Sequence, residues 1–227
     1  MKKQFIIISG LFFLCIILFL FRVLNGSPLY AINIIKYCGI VFSIIGFIYT
    51  IRTSKKITKL IVVLKDEAMH DGMTGLLNHK FFEKRLDEEI ERSNRYKEKI
   101  TLLFLDLDNF KRINDTYGHL FGDYVLKVTA SIIEENVRNI DIVSRYGGEE
   151  FSVILVNADK EDSLKTAERI RKQIEDYNFC DKKINERLTI SIGMGEFPID
   201  GKNRQDIVKY SDDRMYMAKK DGRNCIR

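Results

Sequence analysis

Residues 101–108 read Thr-Leu-Leu-Phe-Leu-Asp-Leu-Asp, an unbroken apolar run that ends on acids. A short continuous run of this kind marks a strand buried on both faces, as in a sheet covered by helices on each side. An acid at the end of such a strand, Asp106 or Asp108, is costly unless it is paired or meets a cation. Downstream, Ile142–Tyr146 and Phe151–Val156 are strand-like runs on either side of Gly147-Gly148-Glu149-Glu150, which reads as a hairpin tip. If the first strand lies beside this hairpin, Asp106 and the two glutamates converge. Clustered carboxylates repel, so they call for a hard divalent cation such as Mg2+ with oxygen ligands. Gly147 and Gly148 remove side chains where a nucleotide must approach the backbone. Together with Lys219 and Arg223, these are the parts needed for phosphoryl transfer. Taken singly, Gly-Gly-Glu-Glu also reads as a solvated turn, and Lys219 with Arg223 as an exposed helix end.

Around this centre the pattern alternates between helix and strand. Phe81–Tyr96 reads as a helix with Phe82, Leu86 and Ile90 on one face. Phe110–Asn136 reads as helical, interrupted near Gly118 and Gly122. Asp162–Tyr177 reads as a helix with Leu164, Ala167, Ile170, Ile174 and Tyr177 inward. Leu188, Ile190 and Ile192 alternate as a strand, and Ile207, Ser211, Met215 and Ala218 space a last helix. After the opening helix the order is β-α-α-β-β-α-β-α, which points to an α/β sandwich with a mixed sheet.

The N-terminal part is of another kind. Residues 4–21 carry no charge, and residues 31–51 are apolar apart from Lys36. Each run is long enough to cross the roughly 30 Å hydrocarbon core of a bilayer. Asn25-Gly26-Ser27-Pro28 between them is a turn cluster. Lys2 and Lys3 precede the first span (about residues 4–23), and Arg52, Lys55, Lys56 and Lys59 follow the second. The positive-inside rule then predicts a two-helix transmembrane hairpin with both ends cytoplasmic, in a multi-pass membrane protein. Lys36 is expected to snorkel to the outer interface. A cleaved signal peptide is the other reading of the first run, but the run exceeds a signal's apolar stretch and no clear cleavage site follows. Over residues 53–70, Ile57, Ile61, Leu64 and Ala68 fall at gaps of four, three and four, either a short coiled-coil seam or an amphipathic linker helix.

Composition supports the split. The first 65 residues hold nine Lys or Arg and no acid, so the remainder has 28 bases against 32 acids. The net +5 therefore reflects membrane topology, and no nucleic-acid partner is expected. With 45% hydrophobic residues, 2 Pro and 14 Gly, collagen-like and disordered classes are excluded. Cys15, Cys38, Cys180 and Cys225 form no metal or disulfide pattern, and neither a P-loop nor a GxGxxG motif is present.

Arg145-Tyr-Gly-Gly-Glu-Glu-Phe151 resembles the signature of the GGDEF-domain diguanylate cyclases, in its GGEEF form. Asp71-Gly-Met-Thr-Gly-Leu-Leu-Asn78 resembles the family's opening block. Phe104–Lys111, Ile113–His119 and Gly122-Asp123 resemble its central block. Ser191-Ile-Gly193, Tyr216–Lys219 and Gly222-Arg223-Asn224 resemble its closing blocks. The blocks run in the family's order from Asp71 to Asn224 and imply a catalytic domain over residues 71–227. Met73 and His79 depart from the usual Leu and Arg, in a segment that is structural in the family.

The resemblance implies an α/β sandwich of the nucleotide-cyclase or palm type, acting as a homodimer. It implies condensation of two GTP into cyclic di-GMP with release of two pyrophosphates. Asp106, Glu149 and the main-chain carbonyl of Leu107 would hold Mg2+, or Mn2+. Glu149 or Glu150 would take the proton from the attacking 3′-hydroxyl, and Lys111 would stabilise transition-state charge. Asn114 and Asp123 would read guanine, with His119 lining the pocket, because acceptors suit the N1–H and N2 amine of guanine. Lys219 and Arg223, four apart on one helix face, would grip the terminal phosphates. Arg138 and Asp141 stand where the family's inhibitory RxxD site binds product. The competing readings are a degenerate domain that only binds nucleotide, as a receptor or scaffold, and a cyclase of altered base choice; intact metal acids and glycines argue against the first, and Asp123 against the second.

Overall fold

The run at the centre of the sequence forms strand β2, Ile100–Leu107, buried at all eight positions. A computed structural model describes residue 14 and residues 16–21, 28–181 and 184–227. Strand β2 is central because both neighbours pair with it along nearly its full length. On one side is β4, Glu150–Val156, antiparallel, with Asp106 opposite Glu150. On the other is β7, Ile190–Phe197, also antiparallel, with Asp106 opposite Ser191. Strand β3, Ile142–Gly147, forms the hairpin with β4, and β1, Leu77–Asn78, adds to β3 in parallel. The order β1-β3-β4-β2-β7 makes the predicted mixed sheet.

Side-chain alternation along β2 sends Leu103, Leu105 and Leu107 to one face and Leu102 and Phe104 to the other. The first face is covered by α3 (Phe110–Tyr117), α4 (His119–Glu135) and α5 (Lys160–Asp176). The second is covered by α2 (His79–Tyr96) and α6 (Arg204–Lys220). Phe82, Leu86 and Ile90 face inward on α2, and Ile207, Ser211, Met215 and Ala218 on α6, as their spacing predicts. Asp106, on the even side of β2, therefore faces α6, and the basic residues near the end of that helix lie within its reach.

Three expectations need correction. The helical stretch after Phe110 breaks at Gly118 alone, where φ is +81°; Gly122 lies inside α4. Leu164 and Tyr177 are exposed, and the inward face of α5 is Ser163, Ala167, Ile170 and Ile174. Strand β7 is buried on both faces, because Gly193 and Gly195 let α6 lie against it. A Cβ at Gly193 would stand 2.0 Å from the Ser211 carbonyl oxygen. Three short strands carry no clear pattern in the sequence: β1, and a hairpin outside the main sheet, β5 (Phe179–Asp181) with β6 (Ile184–Glu186).

The chain divides into two compact units, Met1–Leu64 and Lys65–Arg227. Helix α1 runs without a break from Pro28 to Met69, so the predicted second span and linker are one helix. Within it, Ile35–Ile61 is long and apolar enough to cross a membrane, and is the one such segment among the described residues. The predicted first span falls mostly outside the described residues; residues 14 and 16–21 of it are helical. Of the predicted seam, Ile57 and Ile61 are exposed, while the side chains of Leu64 and Ala68 lie outside the described residues.

Candidate active site

The β3–β4 tip is a tight turn in which Gly148 takes φ +49°, a conformation glycine adopts without strain. A bulge between Arg145 and Gly147 re-aims the strand just before the tip. Arg145 braces the turn from behind. Its Nε and Nη2 donate to the Gly148 carbonyl at 3.0 and 2.7 Å, while Nη1 reaches both oxygens of Asp71, at 3.1 and 3.2 Å. Asp71 also accepts from the amide and hydroxyl of Thr74. The Asp71–Asn78 segment and the Gly-Gly-Glu-Glu tip are thus one assembly, a link across 74 residues that no local pattern announces.

Asp106 and Glu150 stand directly opposite each other across the strand pair. Cross-strand partners share a face, and like charges so placed repel. Lys219 from α6 partly answers this, with Nζ 2.6 Å from Asp106 Oδ2. Asp106 Oδ1 is buried and accepts no hydrogen bond. Burial pushes the Asp106 carboxyl up to about 6; Lys219 works against that shift, and Glu149 and Glu150 add to it. The Glu150 carboxyl is also raised, by burial and then by Asp212, with Lys219 partly offsetting. Glu149 sits in the turn itself, its carbonyl accepting from the Leu107 amide at 3.4 Å.

An orphaned, buried carboxylate oxygen beside further acids is the kind of donor set that a hard dication completes. Among the described residues no three acidic, histidine or cysteine side chains are yet gathered at metal-ligand spacing. Asp106, Glu149 and the Leu107 carbonyl, all oxygen donors, fit Mg2+ by chemistry.

Asp108 has a different fate. Its Oδ1 accepts from Ser191 Oγ at 2.7 Å, and its Oδ2 from Thr189 Oγ1 and the Asn224 amide at 2.7 and 3.1 Å. The second acid of the run is therefore a structural knot between β2, β7 and the C-terminal tail.

The expected base-reading residues sit where α3 meets α4. A Cβ at Gly122 would fall 2.0 Å from Asn114 Oδ1, so the missing side chain is the space that Asn114 occupies. Asp123 follows and is half-buried; His119 opens α4 and is exposed, as is Lys111 on α3.

Two expected pairs look different in three dimensions. Helix α6 ends at Lys220, so Lys219 and Arg223 do not share a helix face. Arg223 lies beyond the cap with φ +69°, its amide bonded to the Ala218 carbonyl, and it is exposed. The Arg138–Asp141 turn is built by Asp141, whose oxygens accept from the Arg138 amide at 2.8 Å and the Val156 amide at 3.0 Å. The exposed Arg138 side chain stands at the mouth of that turn.

The family described as diguanylate cyclase, GGDEF domain, matches residues 68–225. Diguanylate cyclase A of Treponema denticola is 43% identical over 161 residues, covering 69% of this chain and 43% of that protein. A Staphylococcus aureus protein described as an uncharacterized membrane protein is 34% identical over 218 residues, 92% of this chain and 60% of that one. The chain spans less than half the length of the first curated relatives it matches. Among solved structures, the coiled coil and GGDEF domain of DgcB from Caulobacter crescentus, in complex with c-di-GMP, superposes with a TM-score of 0.74 at 28% identity. It covers 78% of this chain and 94% of that one. The active GGEEF domain of a diguanylate cyclase from Vibrio cholerae gives 0.63 at 31% identity, over 66% and 97%.

Proposed function

The chain belongs to the GGDEF-domain diguanylate cyclase family, and on that premise we propose that it condenses two GTP into cyclic di-GMP, releasing two pyrophosphates. The observation that carries the proposal is the Asp106–Glu150 cross-strand pair under a glycine turn, with one buried Asp106 oxygen left without a donor. Asp106, Glu149 and the Leu107 carbonyl would hold Mg2+, with Mn2+ as a substitute. Bound there, the ion would supply positive charge against the GTP phosphates.

The chain's own residues do the rest. Gly147 and Gly148 let the triphosphate lie against the turn. Asn114 and Asp123 accept from the N1–H and N2 amine of guanine, beside His119. Lys111 donates to the α-phosphate region, where charge builds. Lys219 and Arg223 hold the terminal phosphates, for which Lys219 must exchange its bond to Asp106. Glu149 or Glu150 accepts the proton of the attacking 3′-hydroxyl. Product inhibits by stacking a guanine on Arg138. Asp141 holds the Arg138 main chain through its amide and accepts from that guanine. The chain works as a homodimer, anchored by a two-helix hairpin with both ends on the cytoplasmic side of a bacterial membrane.

The full chain in detergent, given GTP and Mg2+, is expected to yield cyclic di-GMP. Asp106→Asn and Glu149→Gln are each expected to lose turnover by several orders of magnitude, since charge stabilisation dominates phosphoryl transfer. Near-normal condensation by either variant overturns the metal assignment. GTP binding without any condensation by the parent protein favours a receptor or scaffold instead.

A further inference from the structure

Helix α3 is poorly supported by its own chemistry. It has eight residues, and isolated helices below about 12–15 residues are marginal in water. Its N-cap, Asn109, takes φ +57° and makes no side-chain bond to the first turn, which also lacks an acid. Only Phe110 and Ile113 are buried. Yet this helix carries Lys111 and Asn114.

The missing support comes from outside. Glu186, the last residue of β6, bridges the helix from end to end. Its Oε1 accepts from Arg112 Nη2 at 2.7 Å, in the first turn. Its Oε2 accepts from the Tyr117 hydroxyl at 2.7 Å, at the last residue. These two donors, Tyr117 first and then Arg112, hold the Glu186 carboxyl below the usual carboxylate range, so the clamp stays charged. The Tyr117 ring in turn packs edge-on against Phe121 of α4, with centroids 5.3 Å apart. Phe179 on β5 is fully buried and anchors the small hairpin that presents Glu186.

We propose that Glu186 is a positioning residue for nucleotide recognition: by gripping Arg112 and Tyr117 it fixes both ends of α3 and so sets where Asn114 stands in the base pocket. This rests on the reading of Asn114 as a guanine contact. Glu186 touches no substrate. Without the clamp, α3 keeps the packing of Phe110, Ile113 and Tyr117 and its junction with α4, but neither end is pinned and Asn114 loses its fixed seat against Gly122. Displacements well under 1 Å matter for groups that read a base by hydrogen bonds.

The test uses the full chain in detergent with a non-hydrolysable GTP analogue and its adenine counterpart, both measured by calorimetry. The parent is expected to prefer the guanine analogue. Glu186→Ala is expected to bind it about five- to tenfold more weakly, as for one or two lost hydrogen bonds, with the adenine analogue changed less. The preference therefore falls, and the KM for GTP rises while kcat stays within about twofold. Glu186→Gln, which still accepts one bond, is expected to lie between. A merely structural role lowers the active fraction and the melting temperature but leaves the guanine-to-adenine ratio untouched. An unchanged ratio in Glu186→Ala overturns the proposal. Should that variant not fold, Arg112→Met and Tyr117→Phe each remove one bond and are read in the same way. A parent that shows no guanine preference overturns the guanine reading itself, and the role of the clamp with it.

Discussion

Asn114 and Gly122 show how one missing methyl group makes a site. The glycine lies inside α4, where alanine is intrinsically favoured by about 1 kcal/mol. Its Cβ would overlap the far end of the Asn114 side chain, which can swing away, and would press to 3.2 Å on the Phe110 ring, which need yield by only a few tenths of an ångström. Gly122→Ala is therefore expected to leave the melting temperature unchanged or slightly raised. It is also expected to raise the KM for GTP about tenfold, the worth of roughly one or two hydrogen bonds. Thermal unfolding and steady-state kinetics on the same preparation check both halves. A stable variant with a normal KM would mean that Asn114 does not read the base. At this scale the sequence named the residue types but could not sort them. Asp106 and Asp108 look alike in the run, yet one keeps an oxygen free of hydrogen bonds and the other spends both oxygens on Ser191, Thr189 and Asn224.

At the scale of elements, the working parts are short pieces that cannot hold themselves. The hairpin tip leans on Arg145, and Arg145 leans on Asp71, which lies two residues after α1. Burial raises the Asp71 carboxyl, but the Thr74 hydroxyl and amide and Arg145 outweigh it and hold it below its ordinary 3.8. A carboxyl whose folded value is depressed stabilises the fold fully above its unfolded value and loses that contribution as pH falls through the folded value. Asp71→Asn is thus expected to be less stable than the parent at pH 7, by roughly 1 kcal/mol for a partly buried ion pair. The gap is expected to narrow below about pH 4, where the parent carboxyl protonates too. Denaturant titrations of the catalytic unit across that range measure it, and a gap independent of pH would remove the ionic part of the argument. Helix α3 is the second such piece. The order of helices and strands was legible because long runs with clear periods dominate it. Strand β1 and the β5–β6 hairpin were not, since two- and three-residue strands have no period to read.

At the scale of the whole molecule, the proposed chemistry calls for two copies. Cyclic di-GMP joins two guanylates through two equivalent bonds, whereas the proposed reading gives each chain one base pocket and one set of phosphate ligands. A two-fold pair presents each 3′-hydroxyl to the other's α-phosphate. Helix α1 carries the apolar stretch Ile35–Ile61 and the exposed Ile57 and Ile61 of the predicted seam. Pairing along it would raise the effective concentration of the second catalytic unit towards roughly the mM range. A protein beginning near Asp71 is expected to lose specific activity on dilution. The full chain in liposomes is expected to keep it, and Ile61→Asp with Leu64→Asp to behave like the short form. Constant specific activity of the short form across a wide dilution series would reduce α1 to a tether. The sequence by itself determined the buried strand and its acids, the glycine tip, the inward faces of α2 and α6 and the split in charge, because each is set by neighbours within a turn or a strand. Only the tertiary structure decided which acid meets Lys219, that Arg223 leaves the helix face, that Asp71 braces the tip and that Glu186 clamps α3. The contacts to Asp71, Asp108 and Glu186 join residues 69 to 116 positions apart, and sheet register and helix docking bring them together where no local pattern can.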